Sequence, residues 1–475
     1  MAKPTECNGC VLEHKGSGFA RAVGPTSSAL CFVGEALGHN EARMGTPFVG
    51  DAGVYLNRAF RRLGLDRESQ RIGNVVSCQP PKDWLVNAPW ETMAIAHCFA
   101  HRKKLAGHKV YVTLGVTATR VMLKELLGID YAGKMNDWHG YVLGDEHRGF
   151  IVPTYHPAYL LRGNQNLFGT FLHDIKRAME VGGYGYIPDV VDTIEDPSPA
   201  HFAHYVNQIP DDPDSWLAVD IETEKKQGVE EDELLPGGTD TPIRISYSFN
   251  PDQGVSIPWE PRYFPMIKEA HSRQCVKLFH NERYDMPIIT REGFKPAGRI
   301  LDSMWAWHFL QSAVPKGLGF VSPFYSKLPP WKHLSHARPA YYSAMDSIQC
   351  LRIMIGIAAH LQQSGQWESY LRYSPLLDEQ VLHPMEEMGV LMSRKGLQYL
   401  EQHIEKEIAG ITTTLGEMYP KELIPHDGGW KRQPKESSPY FADAFKVVVK
   451  EDVLVCTDCG EYDVGPKHKC QKEAS

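Results

Sequence analysis

No run of eighteen apolar residues interrupts this chain of 475, so no segment has the composition of a membrane-spanning helix. Met1-Ala2-Lys3-Pro4 lacks the apolar core of a secretion signal, which predicts a chain that stays in the cytoplasm. No internal repeat is visible. Disulfides are not expected either: of ten cysteines, seven stand in spacings that suit metal ligation by reduced thiols. The chain also lacks the overall positive charge of a simple nucleic-acid binder, at a formal net charge of −8. That total conceals a division. Residues 1–185 hold 21 Lys+Arg against 16 Asp+Glu, while the remaining 290 hold 29 against 42. A basic first part suits a phosphate backbone. An acidic second part suits a site that gathers divalent cations.

What is present is an ordinary globular composition, 42% hydrophobic and 23% charged, long enough for two or three domains with full cores. Over residues 29–181, strand-like runs (Ala29–Val33, Gly73–Cys78, Val110–Leu114, Phe150–Tyr155) alternate with helical periodicity (Val54–Leu63, Met93–Leu105, Thr117–Leu127, Gly169–Val181). This pattern predicts an α/β domain, a parallel sheet with helices on both faces. Gly182-Gly183-Tyr184-Gly185 and Glu195-Asp196-Pro197-Ser198-Pro199 bracket a linker. A second α/β unit begins at Trp216–Val219, with strands at Ile243–Phe249 and Val276–His280. Its helices are expected near Glu282–Arg291, Met304–Gln311 and Ala340–Leu361. From Glu368 onward helical periodicity dominates, with Leu377, Val381 and Met385 on one face, Leu397, Leu400 and Ile404 on the next, and Met385 and Met388 read as core. The expected boundaries are 1–182, a linker at 183–200, 201–366, and 367–475.

Three separated stretches of the first domain fit one pocket. Gly34-Glu35-Ala36-Leu37-Gly38 runs on to Gly45-Thr46-Pro47-Phe48-Val49-Gly50. Asn74 follows a strand, and His156-Pro157-Ala158-Tyr159-Leu160-Leu161-Arg162 follows another. A glycine-rich turn lets backbone approach a ligand closely, and in an open α/β sheet ligands bind at the carboxyl ends of strands. Gly34 is placed for close approach, Phe48 to stack on a flipped base, and Asn74 to read its edge. His156 can stabilise negative charge on a leaving group, and Glu35, or failing it Glu41, can stabilise positive charge and hold water. Arg162 suits a phosphate contact or a plain surface position. Cys7-x-x-Cys10, Cys78 and Cys98 add four thiolates, a set that can hold zinc or an iron–sulfur cluster.

Together these residues resemble an iron–sulfur uracil-DNA glycosylase of family 4, over about Cys7 to Leu172. The resemblance implies a [4Fe–4S] cluster on Cys7, Cys10, Cys78 and Cys98, with a structural role, and uracil-containing DNA as substrate. Two positions depart from pattern: Leu37 stands where the family usually carries Pro, and Ala36 where other glycosylase families carry Asp. Glycosylase-like proteins that trap uracil covalently carry a basic loop with a His after the second motif. Here that region, Gln79 to Asn87, has none.

In the second unit, Asp220-x-Glu222 closes a strand, so both carboxylates face one side. Asp285 sits in Asn281-Glu282-Arg283-Tyr284-Asp285, and Asp346 follows Tyr342 by one helical turn. Four carboxylates and a tyrosine suit hydrolysis of a phosphodiester with two metal ions about 3.5–4 Å apart, with Tyr342 orienting the water. Val219–Thr223, His280-Asn281-x-x-x-Asp285 and Tyr342-x-x-x-Asp346 resemble the 3′–5′ proofreading exonuclease domain of family A DNA polymerases, in that order. That resemblance implies an RNase H-like, DnaQ-like fold, two Mg²⁺ or Mn²⁺ ions on Asp220, Glu222, Asp285 and Asp346, DNA 3′ ends as substrate, and Asn281 beside them. Leu301-Asp302-Ser303-Met304 matches a structural stretch of it.

Leu377 to Val390 resembles the opening of a family A polymerase domain, but no palm-like segment follows before Ser475, so the chain alone is not expected to synthesise DNA. Cys456-x-x-Cys459 with His468-x-Cys470 predicts a small Zn²⁺ knuckle. The leading expectation is an enzyme of repair and replication that removes uracil and trims 3′ ends, a combination suited to a phage-like replication module. The alternative is a non-catalytic uracil sensor whose exonuclease and tail dock a separate DNA polymerase chain.

Overall fold

Cys31, Phe32 and Val33 are wholly buried, the mark of a strand covered by helices on both faces rather than one. In the computed structural model, which describes residues 3–224, 240–377, 381–388 and 393–418, they lie in β1 (Leu30–Gly34). β1 joins β2 (Arg71–Asn74), β3 (Val110–Leu114), β4 (Leu143–Asp145) and β5 (Gly149–Thr154) in the order β2-β1-β3-β5-β4. The pairs β1–β2, β1–β3 and β3–β5 are parallel, and β4 adds a short antiparallel edge to β5. The helices Asp51–Leu63, Val116–Met122 and Phe168–Tyr184 accompany the sheet. Phe171, Ile175, Ala178 and Val181 of the last form a buried i, i+4, i+7 stripe.

β2 is shorter than its apolar run. It pairs as far as Gly34↔Asn74, after which the Val75 and Val76 amides turn to the carbonyls of Gly34 and Glu35. A backbone that closes on the end of its neighbour cannot extend the ladder, so Gly73–Cys78 is strand only at its start.

The second sheet contains β6 (Asp192–Glu195), β7 (Trp216–Thr223), β8 (Pro242–Asn250), β9 (Gln253–Pro258), β10 (Val276–Phe279) and β11 (Ile300–Asp302), ordered β11-β10-β7-β8-β9-β6. β7, β8 and β9 form an antiparallel meander, while β10 and β11 continue parallel to β7. This is the mixed sheet of an RNase H-like domain. The 183–200 stretch holds more than a linker: its Asp192–Glu195 pairs parallel with β9 as an edge strand. The 25-residue helix Pro339–Gln363 lies across the sheet and buries Ala344, Ile348, Leu351 and Met354.

The two sheets share a core. Trp138, Tyr141 and Phe171 of the first part belong to the same buried cluster as Phe320, Val321 and Trp331 of the second. A separate cluster centred on Phe202, Tyr247, Tyr263 and Ile267 fills part of the second α/β unit.

The chain divides into two compact units, Met1–Glu387 and Met388–Ser475. The first contains the helix Trp367–Leu377, the helix His383–Met388 runs to the division, and the second contains the helix Arg394–Met418. Met385 and Met388 are not core: they are 62% and 84% exposed, on a helix too short to bury a stripe. Leu397, Leu400 and Ile404 are likewise exposed. Cys456, Cys459, His468 and Cys470 lie outside the described residues. Among the described residues no helix is long and apolar enough to cross a membrane.

Candidate active sites

At the carboxyl ends of β1 and β2 the structure brings Gly34, Phe48 and Asn74 together. A Cβ built on Gly34 would lie 2.4 Å from Asn74 Oδ1 and 2.5 Å from Phe48 Cζ, so only glycine fits there. Phe48 is buried and adopts φ 55°, the left-handed region that bulky residues rarely enter. Such strain persists where surrounding structure fixes a side chain for a purpose. Asn74 Oδ1 is buried without a hydrogen-bond partner among the described residues. An unmatched acceptor of this kind costs about 1–3 kcal/mol.

His156 caps the helix Pro157–Leu161, its Nδ1 accepting the Ala158 N–H at 3.1 Å. Nδ1 therefore carries no proton, and the neutral ring holds it on Nε2. Burial lowers its pKa to about 4, with the Arg162 charge adding to the shift. The Phe48 and His156 rings stand 5.8 Å apart. Gly115, at φ 88°, lets His156 in: a Cβ there would meet the His156 Cβ at 2.9 Å.

Glu35 is held by the Thr117 hydroxyl, which donates to Oε2 at 2.7 Å. Burial raises its pKa above the usual carboxylate range, and the Thr117 bond opposes that rise. Glu41 has a different station. Its Oε1 accepts the Gly50 N–H at 2.8 Å, so it clips the turn between Gly38 and Gly50. Thr117 was not visible as a site residue in sequence, since a threonine opening a helix carries no signal of its own.

Cys7, Cys10, Cys78 and Cys98 line one pocket, together with Lys3 and Phe19. A single tetrahedral zinc with Zn–S bonds of about 2.3 Å draws its sulfurs to about 3.8 Å. Among the described residues, only Asp220, Glu222 and Asp346 bring three ligand atoms within 4.8 Å of one another. As the side chains stand, no three of these sulfurs come within that distance, and a four-thiol set around one pocket suits an iron–sulfur cluster. Burial pushes the Cys7 thiol up to about 11 and Cys78 up to about 12, so ligation there must displace protons. His101, with no motif to mark it, lies 3.4 Å from the Cys7 sulfur.

The second site forms where β7 ends. Asp220, Glu222 and Asp346 converge, and Asp285 adjoins them with Oδ1 accepting the Ile221 N–H at 3.3 Å. Asp220 Oδ2 is buried with no hydrogen-bond partner among the described residues. Burial, then the neighbouring carboxylates, raise Asp220 well above the usual range, and burial does the same to Asp285. Nearby positive charge favours the charged form of such a set, and its donor atoms are of the kind that could hold a divalent cation. Asn281, at φ 77°, caps the helix carrying Asp285 through its backbone alone. His280 is fixed by Ser303 Oγ and the Lys316 carbonyl, each at 2.8 Å. Asp302 caps the helix Ser303–Leu310. Two residues had not been foreseen. Lys332 Nζ donates to Asp346 Oδ2 at 2.8 Å and to the Tyr342 hydroxyl at 3.1 Å, and the Trp331 indole N–H donates to Asp346 Oδ1.

The model of the uracil DNA glycosylase superfamily matches residues 22–178. A type-4 uracil-DNA glycosylase of Thermotoga maritima is 34% identical over 176 residues, which cover 36% of this chain and 88% of the relative. One from Sulfurisphaera tokodaii is 32% identical over 185 residues, 37% and 80% of the two chains. Among solved structures, Escherichia coli RNase D matches 42% of this chain and 51% of its own at a TM-score of 0.31 and 16% identity. Through that part the chain belongs to the type-4 uracil-DNA glycosylases.

Proposed function

We propose that the chain excises uracil from DNA through residues 1–182 and removes 3′-terminal nucleotides through residues 201–366. The observation that carries the first activity is the pairing, in one pocket, of an unmatched Asn74 carbonyl oxygen with a His156 restricted to one tautomer.

A uracil that leaves the stack, at a cost of a few kcal/mol, presents N3–H between two carbonyl oxygens. Phe48 receives its face, and the Asn74 amide can accept from N3–H while donating to O4. As the bond from C1′ to N1 breaks, its electron pair passes to the ring, and the His156 Nε2–H meets the charge that collects on O2. A neutral imidazole stabilises that anion by hydrogen bonding without giving up its proton. Glu35, ionised, faces the positive sugar and orients the water whose oxygen bonds to C1′; the water's proton leaves through the carboxylate to solvent. Cys7, Cys10, Cys78 and Cys98 would hold a [4Fe–4S] cluster, whose part is to tie the N-terminal arm to the domain.

In the second site, Asp220, Glu222, Asp346 and Asp285 would hold Mg²⁺ or Mn²⁺, which when bound supplies the charge that makes hydroxide and balances the phosphorus centre. Tyr342 aligns the attacking water, and the orphaned Asp220 oxygen supports this reading.

The test uses a 5′-labelled single strand carrying one uracil, incubated in EDTA and then treated with alkali. A single alkali-dependent break at the uracil, lost in Glu35→Ala and His156→Ala, is expected. An intact strand would sink the glycosylase and leave the uracil-sensor reading. In Mg²⁺ without alkali the same strand should shorten from its 3′ end, and Asp220→Asn should abolish this.

A further inference from the structure

The acid cluster is not built by the second domain alone. The segment from Leu318 to Leu334 leaves the exonuclease helices, crosses to the first domain, and returns to place Trp331 and Lys332 on Asp346. Its outward half is fastened by glycosylase residues. The Tyr141 hydroxyl donates to the Gly319 carbonyl at 3.1 Å, and His139 Nε2 lies 3.0 Å from the Phe320 carbonyl oxygen. Arg177 donates to the carbonyls of Pro323 and Ser326. The fastening reaches Lys332 itself. A Cβ on Gly319 would stand 2.9 Å from Asp137 Oδ1 and 3.2 Å from Lys332 Cγ, so Gly319 packs between a glycosylase aspartate and the Lys332 stem. Trp138 and His333 rings pack 4.9 Å apart on the flank.

The other end of Lys332 is equally constrained. Its ammonium stands 4.8 Å from the Tyr342 ring centroid, within bonding distance of both the phenol oxygen and Asp346. By donating to the Tyr342 oxygen it takes one of that atom's lone pairs, leaving the phenol proton to point elsewhere. By pairing with Asp346 it holds unit positive charge on one of the three carboxylates that converge within 4.8 Å.

On the exonuclease reading above, we propose that Lys332 is a positioning residue of that site: a built-in cation that occupies the Asp346 side of the acid cluster, aims the Tyr342 hydroxyl, and is held in place by the glycosylase domain. The strap makes the first domain a structural part of the second active site. Lys332 competes with a divalent ion for Asp346, so the free enzyme binds metal more weakly than its four carboxylates alone would.

The experiment measures Mn²⁺ binding to the full chain by electron paramagnetic resonance of the free ion, alongside 3′-trimming of a single strand. Lys332→Met should bind Mn²⁺ about ten-fold more tightly, since a like charge has been removed from the site. At saturating metal its kcat should fall about ten-fold with KM nearly unchanged, because the phenol is no longer aimed. Lys332→Arg keeps the charge and should keep the weak Mn²⁺ binding. Gly319→Ala, which displaces the Lys332 stem and Asp137 but touches none of the four carboxylates of the cluster, should move Mn²⁺ affinity in the same direction as Lys332→Met. Unchanged or weaker Mn²⁺ binding in Lys332→Met, with the fold intact by circular dichroism, overturns the proposal. Failure of the exonuclease reading looks different: neither the parent chain nor Lys332→Met binds Mn²⁺, and Asp220→Asn changes nothing. That result removes the proposal along with its premise.

Discussion

The Thr117 hydroxyl donates to Glu35 at 2.7 Å from a helix 82 residues further along the chain. That single bond opposes the burial that raises the Glu35 pKa. Hydrogen bonding to the charged form favours it, so Thr117→Val should raise the Glu35 pKa further. In the proposed mechanism Glu35 works ionised, so uracil excision should fail as pH falls through that pKa. The acid limb of kcat/KM should therefore move to higher pH in Thr117→Val and stay in place in Thr117→Ser. A limb that does not move in Thr117→Val would remove Glu35 from the role of titrating carboxylate.

His156 contributes no limb of its own at ordinary pH. With its pKa lowered to about 4, it is neutral wherever Glu35 is ionised. His156→Ala should lower kcat by about 10²–10³, the usual loss on removing a donor from a developing anion. The position of the acid limb should be unchanged. A limb that vanished with the histidine would reverse the assignment.

Asn74→Leu should separate function from stability. The substitution deletes an acceptor that is buried and unmatched. Excision should fall about a hundred-fold or more, since a site built to hydrogen-bond its substrate discriminates through those bonds. The folded chain should melt no lower than its parent. A lower melting temperature would mean that Asn74 supports the fold, and would weaken its assignment to the base.

Phe320 is 1% exposed and lies in the second α/β part, yet packs on His139 of the first with rings 4.4 Å apart. Phe320→Ala should cost about 3–5 kcal/mol. Both activities should then be lost over the same temperature interval in thermal inactivation. Loss of 3′-trimming alone would show that the two halves unfold independently.

Cys98→Ser should lower bound iron sharply, as measured by elemental analysis, because it removes one of four sulfurs around the cavity. Uracil excision in freshly prepared protein should survive better than iron content does, since no step at C1′ uses the cluster. Equal loss of both would give the cluster a larger part than tying the arm.

Much of this was readable in the chain. Short apolar runs such as Val110–Leu114 marked strands because residues buried on both faces leave no polar alternation. Asp220 and Glu222 announced a shared face through the two-residue period alone. Legibility failed where structure depends on a distant partner. Asp192–Glu195 looked like linker because an edge strand is recruited by β9, not by its own composition. Lys332 and Thr117 carried no motif, since each acts on a residue that only the fold brings near. Met385 and Met388 failed in the opposite direction: helical spacing implies a buried face only if something covers it.

The common core between the two sheets also determines how DNA can pass from one centre to the other. Modules on a flexible tether meet each other's products at a local concentration set by linker length. Here Trp138, Phe320 and Trp331 are interleaved in one packed interior. On the proposed function, the Asn74 pocket and the acid cluster are fixed stations on one packed body, so a strand would change station by sliding along the surface or by letting go.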